Sequence, residues 1–173
     1  TFEDNPFIYY NVLSGNGRNG LYIYNSNAVL VQANFFGIGA NNASIVRNAL
    51  NGILVGGTSA GVQVGGVIPL GNVSAGNGVS GSGVGDGIRL EDTVTGFTTF
   101  NTFAGLYAFQ GAAPNQGNGI TVDSSGANNL IRTNVSSGNI GHGIELTVRA
   151  TGVTVDPNVV GLNTEGTGTL TGT

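Results

Sequence analysis

The chain contains no cysteine, methionine or tryptophan, and only 8% of its 173 residues are charged. Without cysteine there is no disulfide framework, no thiol catalysis and no cysteine-based zinc site, and the redox compartment is left open. Lysine is missing too: all five basic residues are arginines, spread singly along the chain. With a net charge of −4 and no basic run, nothing neutralises a phosphate backbone or grips an anionic membrane, so nucleic acid is not an expected partner. No apolar run approaches the roughly 18 residues of a membrane span, and no charged-then-apolar leader opens the sequence, which reads as that of a soluble chain.

What is abundant is glycine, at 32 residues, together with Asn, Ser, Thr and Val. Such a composition would suit disorder if the apolar residues were scattered. Instead they recur as short alternations between Gly/Asn-rich turns, the pattern of many short strands.

Two signposts alternate along the chain. The first is a glycine followed by alternating apolar residues: Gly20-Leu21-Tyr22-Ile23, Gly52-Ile53-Leu54-Val55, Gly87-Ile88-Arg89-Leu90, Gly119-Ile120-Thr121-Val122 and Gly143-Ile144-Glu145-Leu146. Strand side chains alternate between faces, so Leu21, Ile23, Ile53, Val55, Ile88, Leu90, Ile120, Val122, Ile144 and Leu146 are expected to form the core. The recurring glycine suits either a positive-φ turn or a close backbone approach. The second signpost is Asn-led: Asn11-Val12-Leu13-Ser14-Gly15-Asn16, Asn72-Val73-Ser74-Ala75-Gly76-Asn77 and Asn134-Val135-Ser136-Ser137-Gly138-Asn139, with weaker relatives at Asn34, Asn101 and Asn158. A third apolar stretch lies between the two, as in Val29-Leu30-Val31 and Val153-Thr154-Val155.

Each period therefore holds three strands and three turns. The glycine spacings of 32, 35, 32 and 24 residues imply a minimal coil of about two dozen residues carrying inserted loops, expected at Asn42 to Val46, Ser80 to Gly85 and Gln110 to Gly117. The pattern returns in the same direction each time, which favours stacked parallel strands over mirrored hairpins. The expected fold is all-β: a single-stranded right-handed parallel β-helix of about five to six rungs. It forms one domain over residues 1–173, with a partial N-terminal coil or cap at 1–10 and a Gly/Thr-rich tail at 164–173.

Over roughly residues 7 to 163 the repeat resembles the right-handed parallel β-helix proteins of the pectate-lyase-like superfamily, in particular their "NVISGN…NGI.I" repeat type. Lyases, hydrolases, surface proteins and viral fibre or tailspike proteins share that repeat, so the resemblance implies fold and transfers little about activity.

Asn11, Asn34, Asn101, Asn134 and Asn158 are expected to stack at one turn as an amide ladder, a structural role like that of the Asn ladders of cross-β assemblies. Asn42, Asn72 and Asn134 also begin Asn-x-Ser sequons, and only Asn42 lies outside the repeat, where a glycan would have room. Aligning rungs on their glycine gives an outward column Tyr22, Leu54, Arg89, Thr121, Glu145. Two residues on lies a second: Tyr24, Gly56, Glu91, Asp123, Thr147. Glu91 and Asp123 then sit about 5 Å apart with Arg89 and Glu145 beside them. Two such carboxylates share a proton, bind a cation such as Ca²⁺, or are neutralised by the arginine. Arg89, Glu91, Asp123 and Glu145 are thus the catalytic candidates, with Glu91 and Asp123 the candidate Ca²⁺ ligands. An exposed ion-pair cluster is the plainer reading.

Gly141-His142-Gly143 is similar to the Gly-His-Gly element of polygalacturonases, but the Asn-x-Asp, Asp-Asp and Arg-Ile-Lys motifs of that family are missing. His142 aligns with Asn19, Asn51, Asp86 and Asn118 before each repeat glycine, which makes it a turn residue. Tyr22 and Tyr24 face outward and suit stacking on a sugar or a neighbouring subunit.

The sequence enters part-way through a coil at Phe7-Ile8-Tyr9-Tyr10-Asn11 and leaves one unfinished after Asn158. A solenoid end exposes core unless it is capped. Head-to-tail self-association is therefore expected, with Phe2 and Phe7 as a cap, or a longer β-helix, as the alternatives. The balance favours a structural, filament-forming or adhesive β-helix, extracellular or on a cell or virion surface, with polysaccharide as a further partner. A polysaccharide lyase or hydrolase is the alternative.

Overall fold

The computed structural model describes residues 5–108, 111–163, 167–168 and 170. The chain winds through six coils of short strands. The first holds β1 (Phe7–Tyr9), β2 (Val12–Leu13) and β3 (Leu21–Tyr24); the second β4 (Leu30–Gln32), β5 (Phe35–Phe36) and β6 (Ile53–Gly56); the third β7 (Gln63–Val64), β8 (Val73–Ser74) and β9 (Ile88–Asp92). The fourth holds β10 (Thr98–Phe100), β11 (Phe103–Ala104) and β12 (Ile120–Ser124); the fifth β13 (Asn129–Arg132), β14 (Val135–Ser136) and β15 (Ile144–Leu146); the sixth β16 (Val153–Val155) and β17 (Val159–Val160). Equivalent strands pair in parallel. Sheet A runs β1-β4-β7-β10-β13-β16, sheet B β2-β5-β8-β11-β14-β17 and sheet C β3-β6-β9-β12-β15. This is the all-β parallel solenoid that the repeat predicts.

On sheet C the register aligns Leu21, Ile53, Ile88, Ile120 and Ile144 in one column and Ile23, Val55, Leu90, Val122 and Leu146 in another. From Ile53 to Val122 these side chains are fully buried, and sheet A adds Val31, Val64 and Ile131 to the same core. At about 1.5–3 kcal/mol for each fully buried large aliphatic side chain, this stack is the main stabilising term. Leu146 departs from the expected core: it is 48% exposed, because β15 is the last strand of sheet C among the described residues and no strand lies over it. Leu21 and Ile144, on the two outer strands, are half-buried.

The repeat glycine is there for space. None of Gly20, Gly52, Gly87, Gly119 or Gly143 has positive φ. A Cβ on Gly52 would overlap Ser74 Oγ, and one on Gly119 would overlap Ser136 Oγ. Those two serines belong to the Asn-led signpost and donate to the carbonyls of Gly87 and Gly143, each at 2.6 Å, tying sheet B to sheet C.

The loops complete the picture. Residues 38–45 form a small hairpin closed by an antiparallel Ile38–Ile45 bridge, and Leu106 and Ala112 close a second one. A turn at Ser82, whose N–H donates to Val79 O, occupies the expected insertion at 80–85. A further insertion the sequence pattern did not flag lies at 65–71 and contains a cis Ile68-Pro69 bond. The proposed cap residue Phe2, Gln110 of the third expected insertion and most of the 164–173 tail lie outside the described residues. No helix is long and apolar enough to cross a membrane among the described residues.

Candidate functional site

Most of the recurring polar residues line three corner columns. At the A–B corner, Asn11 N–H and Nδ2 donate to Asn34 Oδ1 at 2.9 and 3.1 Å, and Asn34 repeats this on Asn72 at 2.9 and 3.2 Å. Asn134 does the same on Asn158 at 3.0 and 3.1 Å. Nδ2 also reaches backbone carbonyls, as in Asn72 to Val31 O at 2.8 Å.

Asn101 is not part of this ladder. The register places Phe103 opposite Val73, so Thr102, not Asn101, stands opposite Asn72. Asn101 occupies the preceding corner position at φ +50°, where Tyr10, Ala33 and Thr133 are also left-handed, and its amide donates to Gly66 O at 2.9 Å. Asparagine tolerates that conformation better than most residues, so an Asn at 101 answers a backbone demand next to the ladder. Conversely Asn72, which begins a signpost, is a fully buried ladder member.

A second ladder, at the B–C corner, was not read from the sequence: Asn16, Asn48, Asn77, Asn115 and Asn139. Each Nδ2 donates to the next Oδ1 at 2.9 Å through all four steps. Asn16, Asn77 and Asn139 close the Asn-led signpost, a signal that could have revealed it; Asn48 and Asn115 follow inserted loops and lie outside any repeat motif. The third column is the position before each repeat glycine. Asn19 Oδ1 accepts from Asn51 N–H at 3.1 Å, Asn51 from Asp86 at 2.9 Å, Asp86 from Asn118 at 2.7 Å and Asn118 from His142 at 2.6 Å. His142 thus contributes backbone to a turn, and its ring lies at an exposed position.

The catalytic candidates sit on the outer face of sheet C. The register pairs Asp123 with Glu91, and aligns Leu54, Arg89, Thr121 and Glu145, as the glycine alignment predicts. Arg89 is the hub: Nε donates to Glu91 Oε1 at 2.7 Å, Nη1 to Asp86 Oδ2 at 3.2 Å and Nη2 to Asp123 Oδ2 at 3.4 Å. Burial works against the guanidinium charge, but the hydrogen bonds and charges of Glu91 and Asp86 outweigh it and hold Arg89 above its ordinary pKa. Asp123 also accepts from Thr147 Oγ1 at 2.6 Å and faces Arg149 at 3.9 Å. Glu145 is not part of the hub. Its Oε2 accepts from Asn118 Nδ2 at 2.7 Å, and Asn118 also reaches Thr121 Oγ1 at 3.0 Å, covering that threonine completely. Glu91 and Asp123 therefore face a cation supplied by the chain itself. Among the described residues, no three His, Cys, Asp or Glu side chains converge as metal ligands.

Beside the hub, Arg18, Asn19, Tyr22, Leu54 and Glu91 border a shallow hollow of about 420 Å³. Tyr22 and Tyr24 lie with ring centroids 5.5 Å apart and both are exposed. Desolvation, then the nearby Tyr24, Asp92 and Glu91, push the Tyr22 phenol above its usual value.

Of the three sequons, Asn72 and Asn134 are buried in the ladder. Asn42 is half-buried in the first hairpin, where it exchanges two hydrogen bonds of 3.3 Å with the backbone of Ala108 in the second. Compared with family models, with curated proteins and with solved structures, the chain gives no significant match in any of the three searches.

Proposed function

We propose that this chain is a structural, surface-exposed β-helix of the pectate-lyase-like type, extracellular or on a cell or virion surface, and acts as a fibre-forming or adhesive module. One observation carries the reading: the side chains that would perform chemistry are already committed. Arg89 bonds Asp86, Glu91 and Asp123 at once, and Glu145 is held by Asn118. A lyase base or a Ca²⁺-binding carboxylate pair would need those groups open to substrate or ion. Repeated asparagines, meanwhile, are consumed by the ladders. Head-to-tail self-association belongs to the same reading, since a parallel stack extends by adding rung on rung, and a heterologous contact of that kind propagates instead of closing.

The test pairs an assay with an image. Incubated with pectate, other uronate polymers and neutral polysaccharides, with and without Ca²⁺, the chain is expected to leave polymer length unchanged and release no unsaturated product. Negative-stain electron microscopy is expected to show rods that lengthen with protein concentration. Cleavage that disappears in Glu91→Ala would replace this reading with that of a polysaccharide lyase or hydrolase.

A further inference from the structure

The outer face of sheet B differs from those of the other two. Its outward column reads Val12, Phe35, Val73, Phe103, Val135 and Val159, one apolar residue on every rung. On sheet C the equivalent column mixes Tyr22, Leu54, Arg89, Thr121 and Glu145. Part of the sheet B face is covered: Ile38 of the first hairpin, Ala75 just after β8 and Ala113 pack with Val73 as a small second core, with Phe35, Tyr107 and Ala108 against it. Beside that core runs a groove of about 450 Å³ between Ala108 and the 65–71 loop, with Ile68 and Pro69 as one wall and Phe103 and Val135 along the floor. That size falls within the roughly 300–1,000 Å³ usual for ligand sites.

Charge and polarity narrow the occupant. Among the described residues, no Arg, Asp or Glu lines the groove. Arg132, next to the lining residue Thr133, is instead turned onto the Phe100 ring at 5.5 Å. An anionic ligand finds no cation there and meets a chain of net charge −4; a cationic one finds no carboxylate among the described lining residues. The polar groups at the rim are neutral: Tyr10 and Thr133 hydroxyls and the Asn101 amide oxygen, none hydrogen-bonded among the described residues. An apolar floor with neutral donors and acceptors along its edge matches a molecule with a C–H face and a hydroxyl rim, which describes a pyranose ring. The groove also has length. Its lining passes from Tyr10 on the first coil to Val135 on the fifth, four rung spacings of about 4.8 Å or roughly 19 Å, enough for several consecutive rings.

We propose that this groove binds an uncharged polysaccharide segment lying along the helix axis, across the rungs. The proposal rests on the surface-module reading and names its partner. The experiment titrates cellohexaose, mannohexaose and, as an anionic control, hexagalacturonate into the ¹⁵N-labelled 173-residue chain, with calorimetry in parallel. At least one neutral hexasaccharide is expected to shift the amides of Gly71, Val73, Asn101 and Thr133. Ile68→Glu, at a position 78% exposed, is expected to weaken that binding at least tenfold while leaving the melting temperature unchanged. The proposal is overturned if neither neutral sugar shifts these amides, if Ile68→Glu binds as well as the parent, or if hexagalacturonate binds alone with shifts around Arg18 and Arg89. A null result with all sugars, together with intact rods and no cleavage, removes the glycan partner and leaves the structural reading standing.

Discussion

Arg89 and Tyr22 occupy the same outward column two rungs apart, and both are shaped by Glu91. Arg89 keeps its charge because two hydrogen-bonded carboxylates offset the cost of burying it. Tyr22 is likewise held in its protonated form, here the neutral one: desolvation, then the neighbouring Tyr24, Asp92 and Glu91, disfavour the phenolate. Its folded-state pKa thus exceeds the ordinary 10.0, so its contribution to stability is complete below the unfolded-state pKa and is lost as pH rises through the folded one. An NMR titration with ¹³C-labelled tyrosine should place the Tyr22 midpoint above 10.0, and Glu91→Gln should lower it. A midpoint indifferent to Glu91 would refute the electrostatic arrangement of this face. The Glu91–Asp123 pairing was legible in the sequence because side chains alternate with period two and each strand starts at a recognisable glycine. What the alignment left open was whether Arg89 or Glu145 closes the cluster, since that depends on rotamers and on the intervening Thr121 and Asn118.

At the scale of strands and corners, the A–B ladder is interrupted once. Going from the third to the fourth coil, Thr102 replaces asparagine, and the backbone N–H of Asn72, fully buried, finds no acceptor among the described residues. In the neighbouring steps that acceptor is the Oδ1 of the next asparagine, as for Asn34 on Asn72 and Asn134 on Asn158. Thr102→Asn should supply it and raise stability by about 1 kcal/mol, the usual net value of one hydrogen bond, read as a higher midpoint in urea unfolding. A lower midpoint would mean that the corner has no room for the amide. This gap also explains why Asn101 was misassigned. Positions 101 and 102 each favour asparagine for a different reason, one for its left-handed backbone and one for its amide, and a sequence carries no mark of which demand a given asparagine meets. The second ladder was hidden for a related reason, since Asn48 and Asn115 are delivered by loops of irregular length. The core columns, by contrast, were readable almost to the end: Leu21 and Ile144 are half-buried and Leu146 is exposed, because burial at an outermost rung depends on what stacks upon it.

For the whole molecule, three corner columns of side chains run through the coils and brace the apolar stack, so each rung is held by its neighbours instead of by distant contacts. The groove on sheet B could not be read in advance, because it is walled by the 65–71 loop and by Ala108 of the second hairpin, which follow no repeat. The second ladder bears most directly on the account, and its central member is Asn77. It is fully buried, accepts from Asn48 and donates to Asn115. Equilibrium urea unfolding of Asn77→Ala, followed by circular dichroism, tests the claim that the asparagines exist to hold the coil together. Removing that side chain takes one hydrogen bond from Asn48 Nδ2, which keeps Leu13 O, and one from Asn115 Oδ1, which keeps the Asn77 N–H, and the predicted loss is about 0.5–1.5 kcal/mol for each hydrogen bond removed. An unfolding midpoint equal to that of the parent chain would contradict the account, because the ladders would then contribute nothing to the stability of the stack.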